Sequence, residues 1–371
     1  MFAIATLALA ATASLTAPPS ADASRWIDVD CRSAHALEHA LAKAKRLGGA
    51  DILLHGLCEG HFVITSDGVA LRGATPDSGI SAPAGSTYPY AVLEVVNVST
   101  YLNGLTVRGG VYGVLARGWD ADVVLSNVEV HDQINVGVVA SQGASAVLFN
   151  STVRDGAVGI AAWSNGKLTL QRVVVNNRTT GVAVTEGSSA GLNETTITNS
   201  RGVGLFADSR SDAFVSGSVF RENGFVHIAA ESWSGVNVRD DVTLGSASDT
   251  TQFALGARSQ STIICTTPDI YGDVYVYAGS SAYTGNTVLH GDLIVGLFSN
   301  AHVQNGEITG NVVCSDDADA ICDGATSAGV SQCPSPTCGS PTPEATARAR
   351  SLPELPTMPH LNHPSRSSPR M

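Results

Sequence analysis

The chain has 371 residues, of which 21 are basic and 33 are acidic, giving a formal charge of −12. This balance argues against nucleic acid and anionic membranes as partners, because binding them requires clustered Lys and Arg and no basic run occurs. With 43% apolar and only 15% charged residues, the composition can bury a large core and is not that of a disordered chain.

The amino terminus resembles a secretion signal. Residues 1–23 form an apolar, Ala-rich stretch in which the breaker Pro18-Pro19 precedes the small-x-small sequence Ala21-Asp22-Ala23. This pattern predicts export, although no Lys or Arg follows Met1. We expect a secreted, periplasmic or cell-surface protein. No later stretch reaches the roughly 18 apolar residues of a membrane-spanning helix.

An amphipathic helix is predicted next. Residues 33–47 place Leu37, Leu41 and Ala44 on one helical face, and Gly48-Gly49 follows as a stop. Such a helix can cover the open end of a repetitive core.

The middle of the chain is built from repeats. A Gly-led apolar tetrapeptide recurs every 22 to 24 residues, and two further apolar columns keep the same register. Three columns predict three short strands per repeat, and the missing helical period excludes leucine-rich and helical repeats. The tetrapeptides begin at Gly113, Gly137, Gly159, Gly181 and Gly204.

A polar turn separates the third column from the next Gly-led strand, and it begins with Asp132, Asp155, Asn177 and Asn199. Asn and Asp tolerate left-handed backbone, and stacked amides can pass hydrogen bonds from one coil to the next. Together these features predict a parallel β-solenoid.

Over residues 25 to about 313, these columns and turns resemble the right-handed parallel β-helix superfamily, which has the pectate-lyase-like fold. We expect an all-β domain, a single right-handed parallel β-helix of about ten coils with three strands per coil. The resemblance does not define an activity, because this fold occurs in lyases, hydrolases, epimerases, adhesins and inert scaffolds.

The predicted organisation has five segments. They are a signal peptide (1–23), an N-terminal cap helix (24–50), the β-helix (51–313), a Cys-rich C-terminal cap (314–338) and a disordered Pro-rich tail (339–371).

The seven cysteines favour disulfides over a metal site. No Cys-x-x-Cys pair occurs, and no His lies among the four C-terminal cysteines. The odd count leaves one thiol unpaired or bonded between chains, and the isolated Cys265 is the expected one. The connectivity stays open, and no metal or cofactor is predicted. The expected disulfide residues are Cys31, Cys58, Cys314, Cys322, Cys333 and Cys338.

Three tryptophans, Trp119, Trp163 and Trp233, are predicted to lie in the turn after the Gly-led strand. With a coil rise of about 4.8 Å, they would be roughly 10 and 14 Å apart. Exposed aromatic faces can stack on sugar rings, so this turn predicts binding of extracellular polysaccharide. Alternatively, each Trp only covers the shoulder of its own turn.

A second candidate group lies beside the Asn/Asp turn, where His131 and Arg154 are one coil apart and Glu129 lies two places earlier. Arg154 could neutralise a uronate carboxylate while His131 takes the proton alpha to it. Glu129 with Asp132 or Asp155 could instead be the acid and base of a hydrolase. Solvated surface charges are the alternative interpretation.

The column beside the Leu strand, where the resemblance places catalytic groups, has no carboxylate cluster for calcium. Motifs of polygalacturonases and alginate epimerases are also missing. The sequence therefore predicts a secreted β-helix protein that binds extracellular polysaccharide along its long face. The alternatives are a lyase or C5-epimerase of uronic-acid polymers and a structural or adhesive surface protein. The oligomeric state stays open.

Overall fold

The computed structural model describes residues 25–85, 91–239, 241–267, 269–315, 317–329 and 331–333. The predicted signal peptide, the Pro-rich tail and Cys338 lie outside the described residues.

The chain winds as a right-handed parallel β-solenoid of about 13 turns. Each turn adds one strand to each of three parallel sheets, here called A, B and C in the order in which the chain visits them. The prediction of three strands per coil is confirmed, but about ten coils was too few. Strands begin at Trp26 and continue to Gln332, beyond the range in which the repeat is clear in the sequence.

Within the described ranges, sheet A has fourteen strands and sheet B has thirteen. The strands of sheet A are β1 (Trp26–Asp30), β2 (Ala50–His55), β5 (Val69–Gly73), β8 (Ser99–Asn103), β11 (Asp122–Ser126), β14 (Ser145–Phe149), β17 (Lys167–Gln171), β20 (Ser189–Asn193), β23 (Asp212–Ser216), β26 (Gly235–Val238), β29 (Thr262–Cys265), β32 (Ser281–Gly285), β35 (Asn300–Gln304) and β38 (Asp319–Asp323). Those of sheet B are β3 (Leu57–Glu59), β6 (Gly79–Ser81), β9 (Thr106–Arg108), β12 (Glu129–His131), β15 (Thr152–Arg154), β18 (Val174–Asn176), β21 (Thr196–Thr198), β24 (Val219–Arg221), β27 (Thr243–Leu244), β30 (Asp269–Tyr271), β33 (Val288–His290), β36 (Glu307–Ile308) and β39 (Thr326–Ser327).

Sheet C also has thirteen strands in the part of the chain that the structure describes. They are β4 (Phe62–Ile64), β7 (Ala91–Val96), β10 (Tyr112–Arg117), β13 (Val136–Ser141), β16 (Val158–Trp163), β19 (Thr180–Val184), β22 (Val203–Ala207), β25 (Val226–Ala230), β28 (Phe253–Arg258), β31 (Asp273–Tyr277), β34 (Leu293–Val295), β37 (Val312–Cys314) and β40 (Ser331–Gln332).

The core is a set of stacked apolar columns inside the solenoid. In sheet A, Leu125, Leu148, Leu170 and Leu192 pair in register and are almost completely buried. The strand period of two sends alternate side chains outward, so sheet A alternates between buried and exposed residues. Sheet C is different, because strands such as β13 and β16 are buried on both faces.

The single helix among the described residues, α1 (Ala36–Leu47), covers the first coil. Leu37 and Ala44 on the predicted face are buried, and Leu41 packs at its edge. Gly48 ends the helix in left-handed conformation (φ 71°) and donates its N–H to Ala44 and Lys45, as a Gly C-cap does. Within the described chain, no helix has the length and apolar character needed to cross a membrane.

The turns carry polar ladders. Asp132, Asp155 and Asn199 have left-handed backbone, as predicted for the turn between sheets B and C. The amide of Asn177 is instead buried, where it accepts the N–H of Gly156 (3.0 Å) and donates to the carbonyl of Val153 (3.2 Å).

A second ladder, which the sequence interpretation missed, lies in the turn between sheets C and A. Ser188 Oγ accepts the N–H of Gly166, and the hydroxyls of Ser211, Ser234 and Ser261 repeat this bond to the preceding coil at 3.1 to 3.2 Å. Hydroxyls at one repeated position therefore satisfy backbone donors that would otherwise be buried without a partner.

Disulfides tie the ends of the described solenoid. Cys31 pairs with Cys58 beside α1, and Cys314 pairs with Cys333. Cys322 is also disulfide-bonded. Cys265 is completely buried in β29, so an interchain bond at this position would require the core to open. Disulfides accord with the predicted extracellular compartment.

Candidate functional site

His131, Arg154 and Glu129 lie together on the outer face of sheet B, as the repeat predicts. Arg154 Nε donates to Glu129 Oε1 at 2.8 Å, and Arg154 Nη1 also contacts Asp155. His131 Nδ1 lies 2.9 Å from Asp132 Oδ2. The side chains of Arg154 and Glu129 are 40% and 43% exposed.

The predicted catalytic groups are therefore bonded to neighbouring side chains of the same surface group. The hydrogen bond to Glu129 is the largest effect on Arg154 and raises its pKa. Burial raises the pKa of Asp132, but its hydrogen bond with His131 and nearby positive charges outweigh burial and lower it. The guanidinium of Arg154 is therefore already neutralised by carboxylates, and the group has the character of a solvated surface network.

Two of the three predicted tryptophans are exposed. Trp119 is 76% exposed and Trp233 is 64% exposed, both in the turn between sheets C and A. Trp163 is only 1% exposed and meets Tyr112 edge-to-face at 6.1 Å between ring centroids. The prediction of a sugar-stacking Trp163 is wrong, because this residue ends strand β16 and lies earlier in the repeat than the two turn tryptophans.

The outer face of sheet C also carries aromatic and charged residues, and most of its strand positions are buried. The residue at the end of each Gly-led strand points outward. The strand pairing and the backbone hydrogen bonds place these residues directly above one another in successive coils. These residues are Arg117, Ser141, Trp163, Thr185, Asp208, Glu231 and Arg258.

Asp208 and Glu231 form a carboxylate pair in adjacent coils. Glu231 Oε1 lies 3.7 Å from Arg258 Nη1, and Asp208 Oδ2 accepts a hydrogen bond from Ser209 at 3.0 Å. Among the described residues, the buried atoms Glu231 Oε1 and Asp208 Oδ1 have no hydrogen-bond donor. Two desolvated carboxylate oxygens therefore lie in adjacent coils, and Arg258 is the nearby positive charge.

Burial is the main reason that the pKa of Glu231 is raised, and the negative charge of Asp208 adds to it while Arg258 opposes it. A carboxyl group whose pKa is raised beside a second carboxylate is the usual arrangement of a general acid and its partner. The direction of the shift at Glu231 is the one that a general acid requires.

Tyr275 lies near Glu231 and packs in an apolar cluster on the outer side of sheet C. Its ring packs edge-to-face against Phe253 at 5.0 Å and crosses Gly256, where a Cβ atom would be 2.8 Å from the Tyr275 hydroxyl. Burial and the charge of Glu231 raise the pKa of Tyr275 well above its ordinary value. Tyr275 is therefore a neutral hydrogen-bond donor and not a base.

A further charged group lies near the N-terminal end of the same face. Glu94 Oε2 is 3.7 Å from His61 Nε2, and Glu94 also forms an ion pair with Arg117. The hydrogen bond with His61 lowers the pKa of Glu94, Arg117 adds to this effect, and burial opposes it. Glu94 is thus a fixed negative charge at one end of the sheet C face.

No metal centre is apparent in the part of the chain that the structure describes, since no three His, Cys, Asp or Glu side chains there converge on one point.

Sequence reasoning missed Asp208, Glu231, Arg258 and Tyr275. The sequence contained a signal for the two carboxylates, because Asp208 lies four residues past Gly204 and Glu231 lies at the same place in the next repeat. The column beside the Leu strand, where the resemblance places catalytic groups, belongs to sheet A.

Comparison with known proteins agrees with this architecture. Residues 109–288 match a family model described as a right handed beta helix region. No curated protein matches the chain.

Several solved structures are similar in fold. The A-module of mannuronan C-5 epimerase AlgE6 from Azotobacter vinelandii has a TM-score of 0.58 at 13% identity, over 79% of this chain and 94% of that one. The A-module of AlgE4 from the same organism has a TM-score of 0.50 at 14% identity, over 83% and 95%. The catalytic domain of a GH87 α-1,3-glucanase in complex with tetrasaccharides has a TM-score of 0.50 at 13% identity, over 87% and 68%. At such low identities the likeness concerns the fold alone.

Proposed function

Because this chain folds as a right-handed parallel β-helix with the pectate-lyase-like fold, we propose that it binds an extracellular polysaccharide along the turn between sheets C and A, beside the end of the outer face of sheet C. The observation that carries this proposal is the exposed Trp233 two residues beyond Glu231. An aromatic platform beside a desolvated carboxylate offers both stacking and hydrogen bonding to a sugar.

The shape of the face supports a polymer as the ligand. Coils stack about 4.8 Å apart, so a face of many coils is long and narrow. Similar folds occur in mannuronan epimerase modules and in a glucanase bound to tetrasaccharides, which supports a saccharide ligand.

Affinity electrophoresis through gels that each contain one polysaccharide tests binding. At least one polymer should retard the wild-type protein, and Trp233→Ala should weaken its affinity about two- to tenfold. The matched control is Phe214→Ala, which removes an exposed ring from the outer face of sheet A. Loss of retardation in Phe214→Ala, with Trp233→Ala unaffected, would place binding on sheet A and contradict the proposal.

The carboxylate pair favours a second candidate function, hydrolysis of a glycosidic bond in the bound polymer. Glu231, whose pKa is raised, would protonate the departing glycosidic oxygen. Asp208 would be the carboxylate that activates water or attacks the sugar. This assignment moves the predicted chemistry from His131, Arg154 and Glu129 to sheet C. A lyase or C5-epimerase at the sheet B group would need Arg154 to leave its two carboxylates.

Release of reducing ends from a panel of polysaccharides tests hydrolysis. Glu231→Gln and Asp208→Asn should each lower the rate by about 10²-fold or more while retaining binding. Glu129→Gln, a carboxylate-to-amide change on sheet B, should leave the rate unchanged. If Glu129→Gln abolishes the rate and Glu231→Gln does not, the chemistry belongs to sheet B.

A further inference from the structure

The turn between sheets C and A repeats its positions from coil to coil. The N–H of Trp233 donates to Ser259, that of Gln260 to Ala278, that of Gly279 to Leu297 and that of Phe298 to Asp317. Each acceptor directly precedes the next donor in the series. Trp233, Gln260, Gly279 and Phe298 are therefore equivalent residues of four consecutive coils.

Two of these equivalent positions carry large, exposed rings. Phe298 is 71% exposed and Trp233 is 64% exposed. Both have left-handed backbone, with φ of 56° and 69°. This conformation disfavours bulky side chains and suits the glycine found at Gly279. In the free protein, Phe298 is therefore unfavourable in two ways, because its apolar ring is exposed to water and its backbone is left-handed. Strained backbone of this kind is common at binding sites.

We propose that Phe298 is a further glycan-stacking platform, which with Trp119 and Trp233 holds the bound polysaccharide parallel to the solenoid axis. This inference rests on the proposed polysaccharide binding. Three coils separate Trp233 from Phe298 and five separate Trp119 from Trp233, which is about 14 Å and about 24 Å at the coil rise.

The carboxylate pair lies within this series. Asp208 and Glu231 follow strands β22 and β25, whereas Trp119 follows β10 and Phe298 follows β34. The ligand therefore extends past the carboxylates on both sides. A ligand held in this way is an internal stretch of a polymer and not a chain end.

The test compares Phe298→Gly with the wild type on long polymers and on oligosaccharides too short to span the gap between Trp233 and Phe298. The affinity for the polymer should fall about two- to tenfold, while the affinity for the short ligand stays unchanged. The melting temperature should not fall, because Gly relieves the left-handed backbone. Trp233→Gly should weaken both ligands.

Arg172→Gly is the matched control, because Arg172 also has left-handed backbone (φ 53°) but lies in the turn between sheets A and B. It should leave both affinities unchanged. A Phe298→Gly protein with unchanged polymer affinity and a lower melting temperature would show that the ring is structural and overturn this inference alone. A wild-type protein that binds no polysaccharide would overturn the proposed function as well.

Discussion

His227 occupies a position that is glycine in the preceding coil, Gly204. Its imidazole is completely buried, with Nε2 3.3 Å from Asp249 Oδ2 and Nδ1 3.2 Å from Asn223 Nδ2. The amide of Asn223 is oriented by its bonds to Ile197 and Ser200, so its NH₂ group donates to Nδ1. This assigns the single imidazole proton to Nε2, which faces Asp249.

We expect this buried histidine to make stability depend on pH. Burial lowers the pKa of His227 to about 4, against the opposing charge of Asp249, whereas an unfolded His titrates near 6.5. Between these values the unfolded chain binds the extra proton. The free energy of unfolding is therefore highest above about pH 6.5 and falls by up to about 3 kcal/mol towards pH 4.

Urea unfolding at a series of pH values measures this dependence. His227→Gln should flatten the slope between pH 6.5 and 4, whatever its effect on stability at pH 7. His39→Gln removes an exposed helix histidine and should leave the slope unchanged. An unaltered slope in His227→Gln would assign the acid sensitivity to other groups.

At the scale of the strand, the outer face of sheet C depends on glycines that leave room for aromatic rings from an adjacent coil. A Cβ atom at Gly256 would be 2.3 Å from Tyr275 Cε1, and one at Gly296 would be 2.0 Å from Tyr277 Cδ2. No side chain fits at these distances. The glycines therefore allow each ring to lie across a neighbouring coil.

Gly256→Ala should displace Tyr275 and lower the free energy of unfolding by about 1 to 3 kcal/mol, as overpacking does. Gly191→Ala is the matched control, because Gly191 is also a strand glycine but has no heavy atom within 4 Å of the added Cβ. That control should be neutral or stabilising by up to about 1 kcal/mol. Chemical denaturation of both variants measures the difference, and an equal loss in both would contradict the close contact with Tyr275.

The strands were predictable because inward residues must match in every coil. Leu125, Leu148 and Leu170 stack on one another, so burial imposes a period that is visible in the sequence. Outward residues have no such constraint. Trp163 lies at a strand end and Trp233 in a turn, although their positions within the repeat differ by only two residues. Phe298 lies where coils shorten to about 19 residues, as the step from Gln260 to Gly279 and on to Phe298 shows.

At the scale of the whole molecule, the solenoid arranges the described part of the chain into three long faces with different properties. Sheet A alternates between core and solvent, sheet B carries ion pairs such as Glu129–Arg154, and sheet C is buried on both sides of its strands. The repeat predicted a long surface, but the positions of the exposed rings beside sheet C emerged only from burial and side-chain contacts. Coil number was underestimated because the C-terminal coils have a shorter and less regular repeat.

The most direct test of the proposed polysaccharide binding is ligand protection of the exposed tryptophans in the turn between sheets C and A from acrylamide quenching. The Trp26→Phe variant removes the exposed tryptophan of sheet A, so the accessible emission comes from Trp119 and Trp233. A saturating polysaccharide should reduce quenching of this variant. Unchanged quenching at a polymer concentration that saturates binding in affinity electrophoresis would place the ligand elsewhere and contradict the central claim.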